Sequence, residues 1–99
     1  MNIQIHSLKF NADKKLLDFV TQKVSKLSLV SDDIVSAEIT MKLERDETRE
    51  NKVTEIKIEF PGGPLFAQKQ SKTFEEATDL VVAALKRQIV KQKAKLRGE

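Results

Sequence analysis

The chain has no cysteine, no tryptophan and no tyrosine, and it carries a single histidine among its 99 residues. Without cysteine there are no disulfides and no thiolate metal sites, and His6 alone gives a transition metal almost nothing to bind. Glycine and proline are scarce, three and two residues respectively, which removes collagen-like and low-complexity architectures. No apolar run approaches the roughly 20 residues that a bilayer requires. The longest uncharged one runs from Leu80 to Leu85, and Met1 to Phe10 has neither a basic leader nor an apolar h-region. A cytoplasmic protein with no membrane partner is therefore expected. The acids Asp32, Asp33, Glu38, Glu44 and Glu59 fall in loops or on wet strand faces with no neighbouring base or nucleophile, and no glycine loop could cradle a phosphate. Neither an enzyme nor a cofactor nor a small-molecule substrate is expected.

What is present describes a folded domain. Hydrophobic residues make up 39% and charged residues 33% of the chain, too apolar for a disordered segment. Residues 1–99 are enough for one hydrophobic core and not for two. The formal charge is only +3, but it is distributed unevenly. Lys86, Arg87, Lys91, Lys93, Lys95 and Arg97 lie in one stretch without an acid, so all other residues together carry −3.

Periodicity supplies the elements. Ile3 and Ile5 alternate with Asn2, Gln4 and His6, the period-two mark of a short strand over Asn2 to Ser7. Asn11 offers an N-cap oxygen to a helix between Ala12 and Leu27, whose stripe is Leu16, Val20, Val24 and Leu27, widened by Leu17 and Phe19. Val35, Ala37, Ile39, Met41 and Leu43 alternate with polar residues in a long strand with one wet face. Ile56, Ile58 and Phe60 repeat the pattern after the charged loop Arg45 to Lys52, which reads as a solvated hairpin tip. Pro61-Gly62-Gly63-Pro64 forces a turn, and Leu65 to Ser71 follows as an edge strand with Leu65 and Ala67 inward. Thr73-Phe74-Glu75-Glu76 fits a capping box. The helix it opens should bury Ala77, Leu80, Val81, Ala84, Leu85 and Ile89. The predicted fold is α+β, in the order β-α-β-β-β-α: a four-stranded mixed sheet with both helices packed on one face, because a right-handed crossover leaves no other arrangement.

At 100° per residue, Lys86, Lys93 and Arg97 fall within about 40° of one another, opposite that predicted stripe, and Arg87 and Lys91 flank them. Cations in a last helical turn stabilise the macrodipole, but that accounts for two or three residues and not for six over three turns. A rod of positive charge that neutralises phosphates is one reading of the rest, with RNA as the acidic partner, and a solvated lysine face is the other. Lys23 and Lys26 on the first helix could extend the patch, since both helices share a sheet face, or be ordinary exposed lysines. His6 reads as a surface residue. Phe66 points outward, where it could stack a base.

Taken end to end, these residues resemble the ribosome hibernation-promoting factors, also described as ribosome-associated inhibitor or sigma-54 modulation proteins. The resemblance is carried by the opening MNIQI, the helix LLDFVTQKVSKL, the PGG turn and the helix FEEATDLVVAALKRQIVKQKAKLR. It implies a domain that binds the small ribosomal subunit where mRNA and transfer RNA otherwise lie. It also implies translation regulation by ribosome hibernation, with stress response and the stationary phase as the setting and a second hibernation factor as a further partner. Ribosomal RNA contacts carried over from the family fall on Lys23, Lys26, Arg87, Lys91, Lys93 and Lys95, while Lys86 and Arg97 enter through charge geometry. Two positions depart from the family pattern: Ala84 stands where relatives often carry lysine, and Lys69 where a small inward residue is usual. The chain resembles the short form, without the C-terminal domain through which long members pair ribosomes.

Other nucleic-acid modules fit less well. A double-stranded RNA domain places its lysine cluster at the start of its last helix, and KQKAK lies at the end here. An RNA-recognition motif needs aromatics on its open sheet face. From a different class, the alternative is a protein-binding regulator of transcription, of the sigma-54 modulation type, acting through the sheet face.

Overall fold

The computed structural model describes residues 1–45 and 47–98. They form β1 (Asn2–Leu8), α1 (Lys14–Ser25), β2 (Ser36–Leu43), β3 (Lys52–Glu59), β4 (Leu65–Ser71) and α2 (Phe74–Leu96), with a 3-10 turn at Lys26–Leu29 extending α1. The strands lie in the order β1-β2-β3-β4, with β1 parallel to β2 and the other two pairs antiparallel. The single parallel pair needs a crossover, and α1 supplies it. Both helices pack on one face, in the predicted β-α-β-β-β-α order.

Alternation places the core. Ile5, Ile39, Ile56 and Ala67 stand side by side across all four strands, and they meet Val20, Val24 and Leu27 from α1 and Val81, Leu85 and Ile89 from α2. Most of these are wholly buried, each contributing on the order of 1.5–3 kcal/mol. The ends of β2 depart from the expected pattern. Val35 precedes the strand and is exposed, and Leu43 is partly so. Val35 serves through its backbone instead, accepting from the Asn2 amide and donating to the Glu59 carbonyl.

α2 buries Ala77, Val81, Leu85 and Ile89 as predicted, but its buried arc is rotated from the predicted one, and Ala84 is only partly buried. Leu80 faces solvent, while Thr78 and Val82 are buried. The helix packs against β3 and β4 on one flank and α1 on the other, so its buried arc runs through Phe74, Ala77, Thr78, Val81, Val82, Leu85 and Ile89. The uninterrupted apolar run from Leu80 to Leu85 offered several arcs, and contact with α1 selected this one. Thr78 is admitted because its hydroxyl lies 3.4 Å from that of Thr54 on β3, where one can donate to the other.

Capping was half foreseen. The Glu76 amide donates to Thr73 Oγ1 at 3.0 Å, as expected of the α2 start. At α1 the cap is Asp13 rather than Asn11: Asp13 Oδ1 accepts from the Leu16 amide at 2.8 Å. The connection is lengthened by Lys9, at φ 66, and by Phe10, whose ring stacks on Phe74 at 4.7 Å between centroids. That stack ties the β1–α1 link to the beginning of α2. At the other end of the helix, Gly62 has φ +92, and a Cβ there would lie 2.5 Å from Gln92 Nε2. The Pro61–Pro64 turn thus supports the far end of α2, and glycine is favoured there by its positive φ.

The sheet face away from the helices is mostly polar but not uniformly wet. Val53 is fully buried there, flanked in register by Lys42 and Gln70. Lys42 Nζ reaches Glu55 at 2.8 Å and Glu44 at 3.4 Å. The hydrogen bond from Lys42 to Glu55 is the main cause of its pKa lying above the ordinary lysine value. Gln70 of β4 donates to the carbonyl of Glu50 in the hairpin loop. Asp46 of that loop lies outside the described residues.

Candidate nucleic-acid interface

The second half of α2 differs from the first because nothing after Ile89 is buried. At 1.5 Å per residue the helix is about 34 Å long, on a molecule 45 Å in its longest dimension. Its last third leans on the Gly62 turn through Gln92 and Leu96, with Lys91, Lys95 and Leu96 exposed. Gln88 anchors the middle, donating to the Phe66 carbonyl on β4 at 3.0 Å. That bond also occupies one acceptor of the β4 edge.

The change in buried arc relocates the cations. Lys86, Lys93 and Arg97 are indeed in line along the helix, but on the flank that faces α1, not opposite the core. Two contacts establish this. Asp79, one helical row earlier, pairs with Lys23 of α1 at 3.3 Å, and Lys93 Nζ donates to the Val30 carbonyl at 3.0 Å. Arg87 is the cation pointing directly away from the core, with Lys91 beside it, and Lys95 lies round toward the β4 side.

The eight predicted residues therefore fall into two groups. Lys86, Arg87, Lys91, Lys95 and Arg97 are exposed, and none forms an ion pair with an acid among the described residues. Lys23 and Lys93 are engaged within the molecule. Lys23 is held by Asp79, and its ammonium lies 5.4 Å from the Phe19 ring centroid. Lys93 is half-buried and closes the α1–α2 groove, giving the 3-10 turn a cation at its carbonyl end. Its charge is not cancelled by a carbonyl, so it still adds to the field of the helix. Lys26, three residues after Lys23, is exposed on the same flank of α1. Phe66 is 53% exposed, but on the opposite side of the sheet from these cations.

Two residues that matter to this surface had escaped notice. Asp79 places a negative charge at one end of the groove, and Val90 stands 59% exposed among the cations. Val90 was legible as the residue three to four positions from Lys86, Arg87, Lys93 and Ala94, had the outward face been known. Among the described residues no cluster of three or more histidine or acidic side chains could hold a metal ion. No helix among them is long and apolar enough to cross a membrane.

Residues 3–97 match the family described as sigma 54 modulation protein / S30EA ribosomal protein. The chain belongs to that family. Its members are ribosome-associated factors. The fold is similar to that of a solved ribosomal subunit interface protein from Coxiella burnetii. The TM-score is 0.84 at 22% identity, over 95% of this chain and 99% of that one. It is also similar to the N-terminal domain of Protein Y from Thermus thermophilus, with a TM-score of 0.78 at 22% identity over 90% and 96% of the two chains. At this identity the likeness establishes the family fold and leaves the surface chemistry to be read from this chain's own residues. A comparison with curated proteins gives no match.

Proposed function

We propose that residues 1–99 act as one ribosome-binding domain that sits in the mRNA and transfer RNA channel of the small subunit and inhibits translation by occupancy. The observation that carries this reading is the run of exposed cations on α2, unpaired with any described acid, in a chain of a ribosome-associated family. Lys86, Arg87, Lys91, Lys95 and Arg97 contact phosphates of ribosomal RNA. Lys93 contributes charge from a fixed position, and Lys23 and Lys26 border the same track. No bond is made or broken in this mechanism, and no cofactor takes part. Recognition is of phosphate placement and RNA shape, because lysine-rich helices carry little base information and paired RNA hides its major-groove edges. The working compartment is the cytoplasm, where the ribosomes are.

The test is sedimentation of the protein with isolated subunits, with and without mRNA and transfer RNA already bound. Pelleting with the empty small subunit, and displacement when the channel is filled, is the expected result. Equal binding to filled and empty subunits would contradict occupancy. Failure to pellet with either subunit, joined to a salt-insensitive protein partner, would favour a transcription regulator acting through the sheet face.

A further inference from the structure

Two shallow depressions open side by side on the exposed part of α2. One, of about 350 Å³, is walled by Lys86, Arg87, Val90 and Lys91. The other, of about 160 Å³, is walled by Val90, Lys93, Ala94 and Arg97. Val90 belongs to both and forms the ridge between them. Its β-branched side chain has one strongly preferred rotamer on a helix, so the ridge is rigid. The lysine and arginine stems beside it are aliphatic up to their charged heads. The larger depression therefore has an apolar floor and a cationic rim, whereas the smaller one is lined by polar and apolar surface together.

Neither the core nor the helix explains valine at this position. Val90 is 59% exposed, and valine is a poorer helix former than the lysine or alanine around it. A track for phosphates alone needs no apolar floor, since a hydrated cation serves better there. A charged partner that also carries flat apolar groups matches both halves of the surface. An unpaired nucleotide has that composition: a phosphate for the rim and a base or ribose for the floor. A-form duplex offers phosphates and hydroxyls with its bases stacked away inside, whereas an unpaired base exposes its π face to apolar side chains and to the Arg87 guanidinium.

We propose that Val90 and the two depressions it divides seat unpaired nucleotides of RNA, with Lys86, Arg87, Lys91 and Arg97 holding their phosphates. This rests on the RNA-binding reading of α2 and adds which kind of RNA it takes.

The experiment is fluorescence anisotropy of the full chain with a labelled, unstructured oligoribonucleotide of about a dozen nucleotides. A duplex of the same length and inorganic polyphosphate serve as competitors, and the variants are Val90→Ala and Lys91→Gln. The wild type should bind the single strand about tenfold more tightly than the duplex at equal salt. Val90→Ala should lose about fivefold on the single strand, nothing on the duplex, and keep the same slope against log salt. Lys91→Gln should weaken both RNAs and reduce the slope by about 0.7. Because Val90 is not buried, Val90→Ala should melt no lower than the wild type. Unchanged single-strand binding by Val90→Ala overturns the proposal, as does wild-type preference for duplex or polyphosphate. If the wild type binds none of these probes yet pellets with small subunits and is displaced when the channel is filled, the unpaired-nucleotide proposal falls and channel occupancy stands. If it does neither, both fall.

Discussion

The two halves of α2 share one helix and nothing else. From Phe74 to Leu85 the helix carries acids, Glu75, Glu76 and Asp79, and buries Phe74, Ala77, Thr78, Val81, Val82 and Leu85. From Lys86 to Arg97 it carries six cations and no acid, and only Ile89 is buried. The first half is held by burial and the second by its continuity with the first, by the Gly62 turn and by Lys93 on Val30. On the proposed function, stability and binding fall to successive turns of the same element. Substitutions in one half should leave the other's task largely alone.

The strongest way to break this separation is Leu85→Ala, at the last fully buried leucine before the basic stretch. It should cost about 2–5 kcal/mol in urea unfolding, while RNA affinity measured on the folded fraction stays close to wild type. A large affinity loss in folded protein would mean that core packing positions the cations more tightly than the comparison allows. A smaller effect is expected at the helix start. Thr73→Ala removes the acceptor of the Glu76 amide and should lower stability by about 1 kcal/mol, read as a reduced unfolding midpoint.

The smallest effect sharpens the comparison at the boundary between the halves. Asp79→Asn releases Lys23 and removes an acid from the end of the groove. Because that pair is substantially exposed, stability should change by less than about 0.5 kcal/mol. Affinity for RNA should rise by about two- to fivefold near 0.1 M salt. A fall in affinity would instead show that the Lys23–Asp79 pair orients the groove.

Much of the architecture is legible in the sequence. Ile3, Ile5, Ala37, Ile39, Ile56, Ile58 and Ala67 alternate cleanly, and a strand has only two sides to choose between. Thr73 with Glu75 and Glu76 marked the start of α2 for the same reason: the cap is a local pattern. The orientation of α2 about its own axis was not legible. Leu80 to Leu85 is apolar on every side, so only the position of α1 decides that Val82 turns in and Leu80 out. That rotation moved Lys86, Lys93 and Arg97 to the α1 flank, and no local pattern encodes it. The contacts Lys23–Asp79 and Lys93–Val30 join residues 56 and 63 positions apart and depend on the same rotation. Asp13 was passed over for Asn11 because both are good caps, and the choice rests on how the chain leaves β1 through Lys9 and the Phe10–Phe74 stack.

The central claim is that exposed cations of α2 hold the protein on ribosomal RNA. Its most direct test is the salt dependence of binding to isolated small subunits, for the wild type and for a variant with Lys86, Arg87, Lys91 and Lys95 changed to Glu. Circular dichroism should first confirm that both are folded. The account predicts that log affinity of the wild type falls against log salt with a slope of about −3 to −4, as expected of roughly five phosphate contacts. The folded variant should show no measurable binding. A flat salt dependence, or a folded variant that binds like the wild type, would contradict it.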